Sequence, residues 1–202
     1  GTPPNNTCEV VDKILYRAAP QLTLAANRYQ LDPGNFYDSA GKPLSDHYPL
    51  YTQFGWAVGT DVRTSDSFGG PHGVPFNDVA GGAHQRQLRS VTLRGAERLD
   101  AVAASLDNGA TLAHGGSGGT ATTLALRSGE TLTAATVTLG QYNGRTRLFS
   151  LSLTTNQGRS IAAGTPTSER YTLTAPTGWH IAGFTGRAGD AIDKLGVIYR
   201  KN

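Results

Sequence analysis

The chain has 202 residues, 26 of them glycine, with a formal net charge of +3 and a hydrophobic fraction of 38%. This size allows one large domain or a domain with an appended segment, and the composition is adequate for the core of a glycine-rich β protein. No apolar run approaches the ~20 residues that a membrane helix needs, and a single cysteine cannot form an intrachain disulfide. Because the chain begins at Gly1 and lacks methionine, we expect a processed form or a fragment.

Two strands separated by a turn-rich stretch are predicted in the first 60 residues. Residues 10–16 read Val-Val-Asp-Lys-Ile-Leu-Tyr, which is typical of a strand, and a second strand is predicted to begin near Tyr48. Residues 30–47, between them, contain Asp-Pro-Gly and Ala-Gly-Lys-Pro turn signals. We expect the strand that contains Asp12 to pair with the second strand as a two-stranded ribbon.

Residues 8–55 resemble the end of the endonuclease/exonuclease/phosphatase superfamily, whose last catalytic motif is Ser-Asp-His-x-Pro after an Ile-Asp-Tyr-Ile-like strand. Here the motif is Ser45-Asp46-His47-Tyr48-Pro49. The resemblance implies that His47 contacts a scissile phosphate and helps to activate water, and that Asp46 aids metal binding or orients neighbouring groups.

The rest of such a site is not supplied by the 45 residues before Asp46. The superfamily also needs a metal-binding glutamate, an Asp-x-Asn motif and another histidine, all upstream. We therefore interpret residues 1–60 as the C-terminal remnant of a phosphodiesterase-type domain and Asp46 and His47 as relics of its site. We predict that this chain alone is not an enzyme. The alternative that its parent protein is a metal-dependent phosphodiesterase stays open.

The positive charge lies in the later part of the chain. Residues 61–202 carry 14 Lys and Arg against 10 Asp and Glu, whereas the residues before them carry 4 against 5. Four arginines recur without interleaved aromatic residues, at Arg86, Arg89, Arg94 and Arg98. We interpret them as a solvated strand face, so neither a nucleic-acid partner nor membrane insertion is expected.

From residue 87 on, the sequence alternates between apolar residues and Ser, Thr or Arg. Phe149, Leu151 and Leu153, for example, interleave with Ser150 and Ser152. This period of two is typical of half-buried strands, and turn signals such as Asn-Gly and Ser-Gly recur about every eight to twelve residues. The pattern predicts an all-β body of the sandwich or barrel type.

The loop near the C-terminus is the strongest indication of function. Gly186, Gly189, Asp190 and Asp193 follow one apolar run and precede another. Glycines let the backbone turn sharply and bring its N–H groups close to a ligand. A fixed carboxylate beside free N–H groups can bind the adjacent hydroxyls of a sugar.

Residues 65–201 resemble the jacalin-related lectins, because three motifs occur in the family's order. They are a glycine loop at 68–76, a His-Gly-Gly segment at 114–120 and a Gly-x-x-x-Asp loop at 189–193. The resemblance implies that residues 61–202 form a β-prism of three antiparallel sheets with an N-terminal extension. It also implies metal-independent sugar binding without a cofactor. Mannose/glucose-type sugars are expected, because galactose-preferring members need proteolysis that frees the N-terminus of the first glycine loop, and the loop at 68–76 lies inside this chain.

The resemblance also assigns roles in one sugar site. Gly73, Asp190 and Ala191 would offer backbone N–H groups, Gly189 opens the loop, and Asp193 would accept hydrogen bonds from two hydroxyls. Without the family order, Asp193 would be a turn aspartate that satisfies local N–H groups. His72 replaces a glycine, so we expect different backbone angles in the first loop. Ala191 stands where relatives place a bulkier side chain that contacts a second sugar.

A second candidate site combines Gly95 and Asp100 with Gly115 and Gly116. It departs from the family pattern by one extra residue between Gly95 and Asp100, so a structural turn remains an equal alternative. No histidine or cysteine spacing suggests a metal site.

Three hypotheses follow. The first is a secreted lectin for mannose/glucose-type glycans. The second is the C-terminal fragment of a secreted phosphodiesterase, nuclease-like or sphingomyelinase-like, whose lectin domain targets glycans and whose remaining piece would be a partner. The third is a purely structural prism. Homo-oligomerisation is left open.

Overall fold

A computed structural model describes residues 12–19, 21–32 and 34–202. The chain divides into two compact units, residues 1–59 (unit 1) and 60–202 (unit 2). All regular structure in the described residues is β-strand, which confirms the predicted all-β class. Among these residues there is no helix long and apolar enough to cross a membrane.

Unit 1 contains an antiparallel ribbon of β1 (Leu22–Leu31) and β2 (Leu50–Val58). The predicted ribbon is therefore present, but its first strand was assigned wrongly. Residues 12–16 have no regular structure, and residues 10 and 11 lie outside the described part. β1 is closer to β2 along the chain and ten residues long, so it closes a shorter loop and forms a longer ladder.

Unit 2 contains thirteen strands. They are β3 (Val62–Thr64), β4 (Phe68–Gly69), β5 (Val74–Asn77), β6 (Leu88–Gly95), β7 (Leu99–Leu106), β8 (Thr111–Gly115), β9 (Thr120–Ala125), β10 (Leu132–Tyr142), β11 (Arg145–Thr155), β12 (Ser160–Gly164), β13 (Glu169–Thr174), β14 (Trp179–Ala188) and β15 (Ile192–Lys201).

These strands form three antiparallel sheets. Sheet I has the order β8-β7-β6-β9, and sheet II has the order β12-β11-β10-β13. In sheet III, β14 and β15 pair at the centre, β5 pairs with β14, and β3 and β4 pair with β15. One residue pair, Leu132 with Ile181, connects sheets II and III. This arrangement confirms the predicted prism of three antiparallel sheets.

The core of unit 2 lies between the three sheets. Leu93 of sheet I, Leu151 of sheet II and Phe184 and Leu195 of sheet III are all fully buried. The strand neighbours of Leu93 and Leu151 are polar, as the alternation in the sequence predicts for strands with one buried face. In sheet III, β15 is instead buried along most of its length.

Candidate functional site

The two predicted sugar loops of sheet III meet at one end of unit 2. The N–H of Gly70 donates to the carbonyl oxygen of Asp193 over 2.8 Å. Gly73 has φ of 72°, and a methyl group there would lie 2.5 Å from Oδ2 of Asp193. Only glycine therefore fits at this point, because both the backbone angle and the space exclude a side chain.

Arg187 fixes the first loop against the second. Its Nε donates to the carbonyl oxygen of His72 over 2.9 Å, and its Nη2 donates to that of Gly73 over 2.8 Å. His72 does not have a positive φ, since Asn143 is the sole non-glycine residue with one in the described ranges. The expected disturbance at His72 is therefore wrong, because Gly73 adopts the left-handed backbone instead.

Three backbone N–H groups around Asp193 remain available. Within the part of the chain that the structure describes, the N–H groups of Gly73, Asp190 and Ala191 donate to no protein acceptor. The N–H of Gly189 donates to the carbonyl oxygen of Ala191 over 3.0 Å and so closes the turn. The Ala191 side chain is buried.

Asp193 is buried rather than exposed. Its residue surface is 1% accessible, and Oδ1 lies 2.5 Å from Nη1 of Arg147 on β11. A carboxylate at the end of a Gly-x-x-x-Asp loop is expected to be exposed, but Asp193 belongs to β15 and its Oδ2 lies against Gly73 of the first glycine loop. Asp193 is therefore not a turn aspartate that accepts only from local N–H groups, because its hydrogen-bond donor is Arg147, 46 residues away. Oδ2 faces Gly73 and Gly189.

The second candidate site repeats this construction in sheet I. The N–H of Gly116 donates to the carbonyl oxygen of Asp100 over 3.0 Å, as Gly70 does to Asp193. Arg94 donates to the carbonyl oxygens of Gly118 and Ser117 over 3.1 and 2.9 Å, as Arg187 does in the first site. The extra residue before Asp100 has therefore not removed the loop architecture.

The carboxylate of Asp100 is held less tightly than that of Asp193. Arg98 Nε lies 3.9 Å from Oδ1 of Asp100, and the Arg98 guanidinium stacks over Tyr142 at 3.9 Å. A methyl group at Gly118 would approach the carboxylate carbon to 3.0 Å. Gly95 lies against the backbone of Gly119, so it serves the turn and not the carboxylate.

The two candidate sites adjoin. A side chain at Gly116 would overlap the backbone carbonyl of Asp190, so this glycine of the second site forms part of the wall of the first. The two predicted sets of residues are therefore brought to one surface.

The third face of the prism lacks a carboxylate. Gly69, Gly115 and Gly164 all have positive φ, and each lies against the backbone carbonyl of a residue in the central hairpin of its sheet. Those residues are Asp193, Asp100 and Phe149. A phenylalanine thus occupies the equivalent position in sheet II.

A buried pair between the sites was not found from the sequence. Asp78 is 1% exposed; its Oδ1 lies 2.6 Å from Nε2 of His114, and its Oδ2 accepts from the N–H of Phe184 over 2.9 Å. The His114 ring stacks on Phe76 at 3.8 Å. This network joins β8 of sheet I to β14 of sheet III directly behind Gly115.

Unit 1 brings His47 together with Asp12, a pair that was not predicted from the sequence. Nδ1 of His47 lies 2.9 and 2.8 Å from the two carboxylate oxygens of Asp12. The hydrogen bond and charge of Asp12, with a smaller contribution from Asp46, raise the pKa of His47 above its usual range. The family strand motif, which contains an aspartate, is the signal that could have predicted this pair. Among the residues described, no group of three or more His, Cys, Asp or Glu side chains could hold a metal ion.

A segment of 49 residues of the chain is similar to bacterial sphingomyelinases. A sphingomyelinase of Mycobacterium tuberculosis is 45% identical over 49 residues, and one of Mycobacterium bovis matches equally. The match covers 24% of this chain and 10% of the relative. The chain thus spans about a tenth of the length of the curated relatives that it matches.

Unit 2 is similar to solved plant lectins. The Malaysian banana lectin is 28% identical with a TM-score of 0.63, covering 70% of this chain and 99% of that one. A mannose-binding jacalin-related lectin from Ananas comosus is 24% identical with a TM-score of 0.62 over the same shares. Artocarpin in complex with mannotriose is 22% identical with a TM-score of 0.60, also over 70% and 99%; these last two likenesses concern the fold.

The ordered loops, the three sheets and these structural neighbours agree with a direct match to a family. Residues 65–198 match the family model of the jacalin-like lectin domain. The chain therefore belongs to the jacalin-like lectin family and carries a carbohydrate-binding lectin domain.

Proposed function

We propose that unit 2 binds mannose/glucose-type sugars without a metal ion, at the surface where the glycine loop that contains Gly73 meets the loop at residues 189–193. Two observations carry the proposal: Oδ2 of Asp193 faces Gly73 and Gly189, and within the described residues the N–H groups of Gly73, Asp190 and Ala191 donate to no protein acceptor. A sugar hydroxyl can donate to this oxygen and accept from a neighbouring N–H, which satisfies both partners. The mannose-binding neighbour from Ananas comosus supports the same sugar class.

Arg147 forms an ion pair with Asp193 in this site. Its guanidinium neutralises and orients the Asp193 carboxylate through Oδ1, leaving Oδ2 as the oxygen that faces the two glycine loops. Hydrogen bonds to a charged acceptor are the stronger ones. Asp193 is thus the expected centre of recognition, with Arg147 as its positioning residue.

The sugar class is tested by a glycan array and by calorimetric titration. We expect mannosides and glucosides to bind, galactosides to bind much more weakly, and EDTA to leave the affinity unchanged. Galactosides are expected to bind more weakly because the first glycine loop lies inside the chain and has no freed N-terminus. An array dominated by galactosides, or binding that disappears in EDTA, would contradict the proposal; an array without any bound glycan would favour a purely structural prism.

The Asp12–His47 pair favours a second candidate function for unit 1, as the C-terminal piece of a secreted phosphodiesterase of the nuclease or sphingomyelinase type. A histidine whose pKa is raised by a carboxylate is suited to proton transfer and to contact with phosphate. The 45% identity to the sphingomyelinases over 49 residues supports this reading. In such a protein the lectin domain would deliver the enzyme to glycosylated surfaces, and the upstream gene sequence shows directly whether a catalytic domain precedes Gly1.

By itself the chain is expected to hydrolyse neither sphingomyelin nor plasmid DNA in the presence of magnesium. Phosphodiester cleavage of this type uses a metal to stabilise charge on the phosphate, and no metal cluster is present among the described residues. The assay compares the chain with its His47→Ala variant, and His72→Ala, at a half-buried histidine of unit 2, is the matched control. Turnover that survives purification and is lost only in His47→Ala would show that the catalytic site is complete.

A further inference from the structure

The strands of unit 2 run between two ends that differ in chemistry. β14 ends at Ala188 beside the sugar loops and begins at Trp179 at the opposite end, and β15 runs back to Lys201. Ten residues of strand span roughly 30 Å, so the ends are far apart. The end remote from the sugar loops contains a cavity of about 360 Å³.

Cationic side chains dominate this cavity. Four side chains that carry positive charge line it, namely Arg89, Arg127, Arg200 and Lys201. The one acidic side chain in the lining, that of Glu130, is fully buried and already accepts from Nη1 of Arg159 over 2.7 Å. The remaining charge of the lining is therefore strongly positive.

Most of these cations have no acidic partner. Within the described ranges, Arg89, Arg127 and Lys201 form no ion pair. Arg200 donates to the carbonyl oxygen of Arg86 over 2.5 Å, which is a neutral acceptor. Burial lowers the pKa of Arg200, and Asp107 opposes that shift only in part. Like charges gathered beside a partly desolvated guanidinium are costly unless an anion joins them.

The backbone at the mouth of the cavity adds neutral donors. Ser128 and Gly129 form the turn between β9 and β10, and their N–H groups bond to no acceptor in the described part of the chain. Asn156 fixes this turn, because its side chain donates to the carbonyl oxygen of Gly129 over 3.1 Å and accepts from the N–H of Thr131 over 3.0 Å. Successive free N–H groups in a turn form an anion-binding concavity.

We propose that this cavity binds a phosphate group, either as the free ion or as the headgroup of an anionic phospholipid. Arg89 and Arg127 would bind its oxygens from the rim, Arg200 and Lys201 from the wall, and the turn at Ser128 and Gly129 through its backbone. Guanidinium groups suit such oxygens because their donors are planar and paired. The site is independent of the sugar loops, and it replaces the interpretation of Arg89 as part of a merely solvated face.

The test is a titration of the ¹⁵N-labelled full chain with inorganic phosphate, followed by amide and imidazole resonances. We expect saturable shifts at Ser128 and Gly129. His180 lines the cavity, and burial lowers its pKa in the free protein, so a bound anion should raise the pKa of His180. The double variant Arg89→Gln/Arg127→Gln should weaken binding about tenfold or more. Arg145→Gln/Arg170→Gln removes two exposed cations elsewhere in unit 2 and serves as the matched control.

Sedimentation with phosphatidylcholine vesicles, with and without phosphatidic acid, separates the two sources of phosphate. Binding that needs phosphatidic acid and is lost in the cavity variant assigns the headgroup; phosphate shifts without vesicle binding assign the free ion. Shifts spread over all surface arginines, or equal weakening in the control variant, would overturn the proposal. Unchanged spectra at Ser128, Gly129 and His180 would do the same.

Discussion

Asp193→Asn is expected to weaken mannoside binding by about ten- to a hundredfold, or roughly 1.5–3 kcal/mol. The substitution removes the charge that strengthens hydrogen bonds from the sugar hydroxyls and replaces one acceptor oxygen by a donor. Because only 1% of the Asp193 surface is exposed, its carboxylate is largely desolvated, and water compensates only weakly for the lost charge. Calorimetric titration of the folded variant with methyl mannoside measures the change.

The same substitution should also reduce stability, since it leaves the Arg147 guanidinium without its counter-charge. The matched control is Asp190→Asn, in the same loop but with an exposed side chain, which should leave both affinity and unfolding temperature unchanged. A folded Asp193→Asn variant with normal affinity would place the sugar elsewhere. An equal loss in both variants would show that general loop charge, and not the buried carboxylate, determines binding.

Asp78→Ala is expected to destabilise unit 2 by roughly 3 kcal/mol, or about 10 °C in unfolding temperature. The change removes the acceptor of the Phe184 N–H and the partner of His114 Nε2, in a region from which water is excluded. Both candidate sugar loops lie beside this network, so sugar affinity should fall as well. Thermal unfolding and calorimetric titration measure the two effects.

Asp78→Asn separates the hydrogen bonds from the carboxylate. Its side-chain oxygen can still accept from Phe184, and its amide can donate to His114 in the other tautomer, so it should recover most of the stability. Asp66→Ala, which removes an exposed carboxylate, should have little effect. If Asp78→Ala unfolded no more easily than Asp66→Ala, the buried network would not be what joins sheets I and III.

Local patterns explain which parts of the structure could be predicted. Alternation such as Phe149-Ser150-Leu151 specifies strands, because side chains of a strand point alternately to opposite faces. The glycines at residues 73 and 189 also predict tight loops from the local sequence, because they lack the side chain that would crowd the loop. The prism itself came from the family resemblance, since alternation does not reveal which strands pair.

Non-local contacts explain the parts that could not be predicted. Arg147 is 46 residues from Asp193, and Asp78 is 36 residues from His114 and 106 from Phe184. No spacing rule connects such residues, because the three sheets bring them together only after folding. In unit 1 the local pattern also misled, since residues 10–16 resemble a strand but β1 provides the pairing partner of β2.

The pairing in sheet III has a consequence for the order of folding. The strands β3, β4 and β5 come first in unit 2, yet they pair only with β14 and β15, which come last. During synthesis on the ribosome, β3, β4 and β5 therefore remain unpaired until β14 and β15 have emerged. The central strands of sheets I and II, in contrast, pair with strands that are adjacent in the chain. Closure of sheet III is thus expected to be the slow, post-synthetic step, because contacts between distant segments must overcome the largest loss of chain entropy. The principal sugar loops would then be the last part of the lectin domain to form.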